Sequence, residues 1–274
     1  MVEGVPPYPL ALLLAVATLA SSSPASSPAS SPAGSAGASS APRPAPVARA
    51  LPLAGRVVVL DPGHQLGNSR HRARIGRLVA IGNGTRKPCN TTGTATNAGY
   101  PEATFAWQVA IRIRARLERL GARVIMTRST NSIHRWGPCV DVRGRTGNKA
   151  HADLKLSIHG DGSYAAGAHG FHVIYAPDRG ITADTYRASR AYALATRAAL
   201  LRAGFPRATY VAGGDGLDER YDLGTLDLSD MASVMVECGN MRNPADAVRM
   251  SSPSGQAAYA RALVRGIEAA LSTR

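Results

Sequence analysis

Aromatic and acidic residues are both scarce in this sequence. Aromatic side chains make up 5% of the 274 residues, whereas 45% of the residues are hydrophobic; alanine is abundant, so this fraction overstates the core. The apolar content still suffices for one substantial domain with tails. Eighteen Asp and Glu residues stand against 32 Lys and Arg, a formal net charge of +14. This excess favours an anionic partner such as nucleic acid, a membrane surface or a wall polymer. The preference for arginine over lysine is equally explained by a GC-rich genome.

Cysteine is also scarce, with three residues in the chain. Cys89 and Cys139 lie in loop-like sequence rich in Gly, Pro and Asn, whereas Cys238 follows an apolar run and is expected to be buried. Three pairings are possible from the sequence alone. In an exported protein the two loop cysteines suit a disulfide, so we expect Cys89–Cys139, with two free loop thiols as the alternative.

The segment from Leu10 to Ala20 is apolar and has the length of the hydrophobic region of a signal peptide. It is too short to cross a bilayer, which needs ~20 apolar residues. The residues before it are atypical for a signal peptide, because they include Glu3 and no Lys or Arg. No cysteine follows directly, which argues against a lipid anchor. We expect residues 1–20 to be a signal peptide and the protein to be exported to the periplasm, the cell wall or the exterior, without a stable membrane anchor.

Residues 21–50 consist almost wholly of Ser, Ala, Pro and Gly. Such a segment cannot bury enough apolar surface to offset its ordering entropy, and we expect a disordered linker. Residues 51–274 are then the single folded domain.

Apolar, β-rich runs alternate with helical periodicity along this domain, which predicts an α/β fold with a largely parallel sheet covered on both faces. The expected strands cover residues 57–60, 122–127, 154–158, 169–175 (at a sheet edge) and 233–236, with short candidates at 210–211 and 223–226 and a small hairpin within 77–85. The expected helices cover residues 101–120, 140–150, 183–203 and 254–271, the last capped by Ser254.

Three polar motifs stand where apolar runs end. They are Asp61-Pro62-Gly63-His64, Ser157-Ile158-His159 and Val236-Glu237-Cys238-Gly239-Asn240. In an open α/β sheet, residues just beyond the carboxyl ends of strands converge on one crevice, where ligands bind. Two histidines and a glutamate that meet in one crevice indicate the site of a zinc hydrolase, for which one further ligand has to be identified.

Glu102 is the best candidate for the third ligand, because it opens the first long helix where the long loop after His64 returns. Glu118, the other acid of this helix, lies on its charged face. Glu237 then remains as a carboxylate that can carry a proton from water to the leaving nitrogen. Each residue also has a structural interpretation: a histidine at a strand end is often only hydrogen-bonded, and Glu102 is also favoured by the helix dipole. Asp61 is expected to be structural.

Taken together and in order, these motifs resemble the zinc-dependent N-acetylmuramoyl-L-alanine amidases of the amidase type 3 group, over about Arg56 to Leu271. The resemblance also includes Gly121 to Arg128, Arg143 and Gly147-Asn148. It implies a twisted, mostly parallel six-stranded sheet with helices on both faces. It implies His64, Glu102 and His159 as Zn2+ ligands, Glu237 as the catalytic glutamate, and cleavage of the amide between the muramic-acid lactyl group and L-alanine in peptidoglycan or muropeptide fragments. Exported mycobacterial and actinobacterial members look most similar.

The chain departs from many family members after two of the motifs. Gln65-Leu66-Gly67-Asn68 replaces a pair of glycines, and Gly160-Asp161-Gly162 follows His159. These differences are expected to change the shape of the substrate groove, and with it the preferred substrate. They do not affect the expected metal ligands. The alternatives are a zinc peptidase or deacetylase and a non-catalytic, basic wall-binding protein. Nucleic-acid binding is not expected, because no aromatic residues are interleaved with the basic ones. We expect a monomer.

Overall fold

The structure is a computed structural model that describes residues 50–272. The expected signal peptide and nearly all of the expected linker lie outside the described residues. Within them, the strands are β1 Val57–Pro62, β2 Leu78–Ala80, β3 Arg86–Pro88, β4 Arg123–Met126, β5 Leu154–Asp161, β6 His172–Tyr175, β7 Leu217–Glu219 and β8 Ala232–Asn240. The α-helices are α1 Arg72–Gly76, α2 Glu102–Arg119, α3 Val140–Arg145, α4 Ala183–Arg202, α5 Gly224–Asp227, α6 Pro244–Ser251 and α7 Pro253–Ser272.

Six strands form one mixed sheet in the order β4-β1-β5-β8-β6-β7. Every neighbouring pair is parallel except β6 and β8, which run antiparallel. The predicted α/β class with a mostly parallel six-stranded sheet is therefore confirmed. Strands β2 and β3 form a separate antiparallel hairpin, which confirms the hairpin predicted inside the long loop.

The two faces of the sheet differ in character because successive side chains of a strand point to opposite faces. On one face, residues such as Leu60, Leu156 and Val236 pack in the main core with the apolar stripe of α2 and with residues of α4 and α7. The apolar residues of this stripe recur every four positions along α2 and are all fully buried: Phe105, Val109, Ile113 and Leu117. The other face carries smaller apolar clusters and most of the polar motif residues.

The structure corrects the prediction of an edge strand at residues 169–175. Strand β6 begins only at His172 and is flanked on both sides, by β8 and by the short strand β7. Gly170 takes a φ of 89°, in the left-handed region that interrupts a strand. Strand β7 was not predicted, because its three residues carry no alternation that separates them from the surrounding loop.

Other boundaries also differ from the prediction. No strand forms at residues 210–211, and residues 223–226 lie at and within the short helix α5 rather than in a strand. Helix α3 ends at Arg145 instead of continuing to 150, because Gly147 takes a φ of 96°. Helix α7 begins at Pro253, so that Ser252, not Ser254, takes the capping position; its Oγ accepts a hydrogen bond from the Gly255 amide.

The predicted disulfide Cys89–Cys139 is present, and Cys238 is free and buried. The bond joins the end of the β2–β3 hairpin to the residue that precedes α3. Of the helices in the described part of the chain, none has the length and apolar character needed to cross a membrane.

Candidate metal centre and active site

His64, Glu102 and His159 come together at one edge of the sheet. His64 follows β1, His159 lies near the end of β5, and Glu102 is the first residue of α2. The Nε2 atom of His64 lies 3.1 Å from Glu102 Oε1, and the Nδ1 atom of His159 lies 2.9 Å from the same oxygen. One candidate ligand atom from each residue lies within 4.8 Å of the others. The three residues that the sequence singled out are thus neighbours in space.

Backbone contacts orient His64 toward this centre. The residue has a φ of 54°, an uncommon conformation for a non-glycine residue. Its Nδ1 atom lies 3.0 Å from the carbonyl oxygen of Thr91, which leaves Nε2 facing Glu102. Arg143 donates to the His64 carbonyl at 2.6 Å, and Arg128 donates to the Gly63 carbonyl at 3.2 Å. The strained turn is therefore held by two buried guanidinium groups.

Glu102 is 3% exposed and is held by two backbone amides. Its Oε2 accepts from the Thr94 amide at 2.9 Å, and its Oε1 accepts from the Gly160 amide at 3.2 Å. Burial alone would raise the pKa of Glu102, but the charges and hydrogen bonds of His64 and His159 hold that pKa below its usual range. The side chain is therefore a carboxylate, as a metal ligand must be. Glu118, the alternative acid in α2, is instead exposed and paired with Arg114.

The donor set fits a catalytic zinc ion. Two imidazole nitrogens and one carboxylate oxygen form a known three-ligand set of zinc hydrolases, in which the fourth position stays open for water or substrate. The Thr91 carbonyl beside His64 Nδ1 is the kind of outer partner that sets the tautomer of a ligating histidine. Among the described residues, this is the one group of three or more His, Cys, Asp or Glu residues with suitable spacing. The other histidines of the described chain are not part of this group: His71, His134, His151, His169 and His172.

Glu237 lies beside this group without joining it. Its Cα is paired in register with that of His159 across β5 and β8, so both side chains emerge on the same face. Burial raises the pKa of Glu237 well above its ordinary value, and the nearby carboxylates of Glu102 and Asp161 raise it further. A carboxyl group with a raised pKa beside this His-Glu-His cluster is a candidate for accepting and releasing a proton in catalysis.

The four residues line one cavity of about 400 Å³. Residues from the long loop after β1 form one wall, including Pro88, Asn90 and Thr94. The β2–β3 hairpin closes against the segment after β7, where Lys87 and Asp222 form a 2.5 Å ion pair. The long loop is thus part of the cavity.

Asp61, which was expected to be structural, is held by three side-chain hydrogen-bond donors. It accepts hydrogen bonds at 2.6 Å from Arg143, 2.6 Å from Thr127 and 2.8 Å from Ser157. Arg143 is 3% exposed and joins Asp61 to the backbone of the His64 turn. The sequence did offer a signal for this pair, because an acid at the end of a buried strand needs a cation.

Sequence reasoning included Arg128 in a family motif but gave it no role; it donates to three backbone carbonyls around the His-Glu-His cluster, those of Pro62, Gly63 and Ala103. Its place at the end of the motif from Gly121 to Arg128 did not indicate these contacts. Sequence reasoning missed Lys155, which is fully buried on the site face and donates to the carbonyls of Arg143 and Gly144. A lysine inside an apolar strand was a usable signal for this contact.

The profile of the N-acetylmuramoyl-L-alanine amidase family matches residues 58–269. A curated N-acetylmuramoyl-L-alanine amidase of Mycobacterium tuberculosis is 43% identical over 224 residues, which cover 81% of this chain and 89% of that protein. The crystal structure of the amidase Ami1 from Mycobacterium smegmatis superposes with a TM-score of 0.74 at 42% identity, over 81% of this chain and 99% of that one. The structure of Ami1 from Mycobacterium abscessus superposes with a TM-score of 0.73 at 43% identity, over 80% of this chain and 99% of that one. With these matches spanning the sheet, its helices and the His-Glu-His cluster, the chain belongs to the N-acetylmuramoyl-L-alanine amidase family.

Proposed function

We propose that residues 51–274 form a zinc-dependent catalytic domain that hydrolyses the amide bond between N-acetylmuramic acid and the L-alanine of the peptidoglycan stem peptide. The observation that carries this proposal is the position of Glu237. A carboxyl group with a raised pKa faces the same cavity as a three-residue metal-binding cluster and is not part of it. Amide hydrolysis needs this pairing of a metal site with a separate proton carrier.

In this proposal His64, Glu102 and His159 hold the metal. A zinc ion bound there supplies Lewis-acid polarisation of the scissile carbonyl and acidification of water. The protein residues do the remaining work. Glu237 removes a proton from the attacking water and delivers it to the nitrogen of the departing L-alanine. Its raised pKa suits both halves of that transfer, because a strongly acidic carboxylate would not retain the proton.

The surroundings of the domain support an extracellular role. The sequence features of residues 1–50 favour export, and the Cys89–Cys139 disulfide suits an oxidising compartment. The net charge of +14 favours acidic wall material as the environment. We propose a monomeric enzyme that acts on soluble muropeptide fragments. Faster release of peptide from intact sacculi than from fragments would contradict the last point.

The test is incubation of the protein with muramyl dipeptide and analysis of the products by mass spectrometry. The expected products are N-acetylmuramic acid and the free dipeptide. A chelator should abolish their release and added zinc should restore it. Glu237→Gln should lower kcat by at least roughly 100-fold, the lower range for loss of an acid-base group, while the bound zinc stays at the wild-type ratio.

Glu118→Gln is the matched control, because Glu118 is exposed and remote from the cavity, and it should retain wild-type activity. Release of a single amino acid or of acetate would instead indicate a peptidase or a deacetylase. Zinc binding with full activity in Glu237→Gln would refute the proposed role of Glu237.

A further inference from the structure

Four arginines line a groove between helices α2 and α7. The groove has a volume of about 350 Å³. Two of its arginines belong to the last turn of α2, and the other two belong to α7. They are Arg116, which is half-buried, and Arg119, Arg261 and Arg265, which are exposed. This arginine groove is therefore a concave and strongly basic surface.

No carboxylate in the described part of the chain neutralises these arginines. Within residues 50–272, none of the four guanidinium groups forms an ion pair. Glu118 of α2 is paired with Arg114 instead, and Glu268 is the acid that lines the groove. Like charges four residues apart on a helix, such as Arg261 and Arg265, destabilise it. The protein thus retains a repulsive cluster that a bound anion would relieve.

The helix dipole accounts for only half of this cluster. Arg116 and Arg119 lie in the last turn of α2, where the partial negative charge of a helix C-terminus favours cations. Arg261 and Arg265 lie in the interior of α7, which has no basic residue in its last turn. A GC-rich genome explains a preference for arginine over lysine, but it does not bring guanidinium groups of two helices to one groove.

The arginine groove lies far from the metal-binding cluster. Glu102 is the first residue of α2, and Arg116 follows fourteen positions later. At about 1.5 Å of rise per residue, the Cα atoms of these two residues are about 21 Å apart. At the groove end of α2, the Leu120 carbonyl accepts a hydrogen bond from the Leu53 amide, which precedes β1. A ligand in the groove therefore leaves the catalytic cavity open.

We propose that the arginine groove binds a linear polymer whose charges are phosphodiester groups, and that it holds the domain on such a chain. A guanidinium group can donate two parallel hydrogen bonds to one phosphate. Packed helices lie roughly 8–10 Å apart, so arginines of α2 and α7 flank the groove from its two sides. Leu120 and Val264 also line it and can contact the carbon atoms of the repeating unit.

The shape of the groove favours this chain over other anions. A phosphodiester chain carries its charges in its own backbone and can present them to both helices at once. The carboxylates of stem peptides hang from side branches, and a membrane surface is too flat to enter a groove between two helices. No aromatic residue is among the lining side chains, so the bases of a nucleic acid would have no stacking partner.

The test is fluorescence anisotropy of a labelled abasic oligodeoxynucleotide, a phosphodiester chain without bases, titrated with the full chain at several salt concentrations. Binding to a single strand releases about 0.7 counterions per contacted phosphate. With four arginines engaged, the logarithm of the binding constant should fall with the logarithm of the salt concentration with a slope of about −2.8. Absence of binding at low salt would refute the proposal.

Variants locate the binding. Arg261→Gln combined with Arg265→Gln should weaken binding by at least roughly 10-fold and reduce the slope by about 1.4. Arg70→Gln combined with Arg72→Gln is the matched control: it removes the same charge from exposed positions after β1 and should leave binding unchanged. Equal losses in the two double variants would indicate a general effect of net charge and overturn the proposal.

Two further variants keep the test decisive if the double glutamine variant folds poorly. Glu268→Gln removes the acid of the groove and should strengthen binding. Arg261→Lys combined with Arg265→Lys should keep the salt slope but bind more weakly, because an ammonium group cannot form the bidentate contact. Unchanged binding in both variants would contradict the assignment of the groove.

Competing anions test the choice of ligand. Polyglutamate of the same charge should bind more weakly than the abasic chain, and vesicles of phosphatidylglycerol should not displace that chain. Equal or tighter binding of either would refute the phosphodiester assignment. Because binding is measured without turnover, failure of the proposed amidase reaction would leave this test intact. Turnover of muramyl dipeptide should in turn be the same in the wild type and in the Arg261→Gln, Arg265→Gln variant.

Discussion

Removal of the Asp61 carboxylate should be among the most destabilising single changes in the domain. Asp61 is 1% exposed and forms a 2.6 Å ion pair with Arg143, which is 3% exposed. Asp61→Asn leaves the guanidinium buried without its counter-charge, and removing one partner of a buried pair costs about 3–5 kcal/mol. At about 2–4 °C per kcal/mol for a domain of this size, the melting temperature should fall by roughly 6–20 °C.

The Asp61–Arg143 pair should also make the free energy of unfolding depend on pH in the acidic range. Burial alone would raise the pKa of Asp61, but Arg143, the Thr127 hydroxyl, His159 and the Ser157 hydroxyl lower it from 3.8 to about 2. A carboxyl group whose pKa is lower in the folded state stabilises the protein above pH 3.8, and this contribution is lost as the pH falls through about 2. The difference of 1.8 pH units, at 1.36 kcal/mol per unit, corresponds to about 2 kcal/mol.

The assay is chemical denaturation of the chelator-treated protein at a series of pH values, so that metal release does not contribute. The wild type should lose about 2 kcal/mol more than Asp61→Asn between pH 5 and pH 2. Glu118→Gln, which breaks the exposed Arg114–Glu118 pair, should change stability by less than about 1 kcal/mol. A loss below about 1 kcal/mol in Asp61→Asn at neutral pH, or an unchanged acid dependence, would refute the argument that this pair anchors the His64 turn.

Three further changes have expected outcomes. Gly63→Ala should weaken metal binding by roughly 10- to 100-fold, because a Cβ there would lie 2.5 Å from His159 Cε1; Gly76→Ala, whose Cβ meets no atom within 4 Å, should bind metal normally. Equal affinities in a metal titration would contradict this. The wild type should gain stability as the pH rises from about 8 to 10.5, because burial lowers the pKa of Lys155 to about 8 and the unfolded chain keeps this proton over the same range. Lys155→Met should lack this gain. A pH profile of stability identical to that of the wild type would contradict the argument. Cys139→Ser should lower the free energy of unfolding by about 4 kcal/mol, from the chain entropy of the 50-residue loop, and a reductant should then have no further effect in denaturation measurements.

The sequence was informative where a residue type conflicted with its local pattern. Polar motifs at the ends of apolar runs located His64, His159 and Glu237, because parallel strands bring their carboxyl ends to one edge. Glu102 was accessible because a helix start faces the same edge. The contacts of Arg128 were not accessible in this way, since they join segments that are distant in sequence and depend on the whole fold. The short strand β7 and the inner position of β6 were missed for a related reason: three residues do not carry a period, and edge or inner position is decided by pairing between distant segments.

The pairing of β5 with β8 also determines how this site can change during evolution. His159 and Glu237 are Cα partners in that pair, so backbone hydrogen bonds set their separation along the sheet. An insertion of one residue in the regular part of β8 before Glu237 would turn its side chain toward the helices of the main core, because the side-chain period of a strand is two. Substitutions on the helix-facing positions leave that separation unchanged. The loops around the cavity can therefore be lengthened or replaced to suit new substrates, whereas the length of β8 up to Glu237 cannot vary by a single residue without loss of the site.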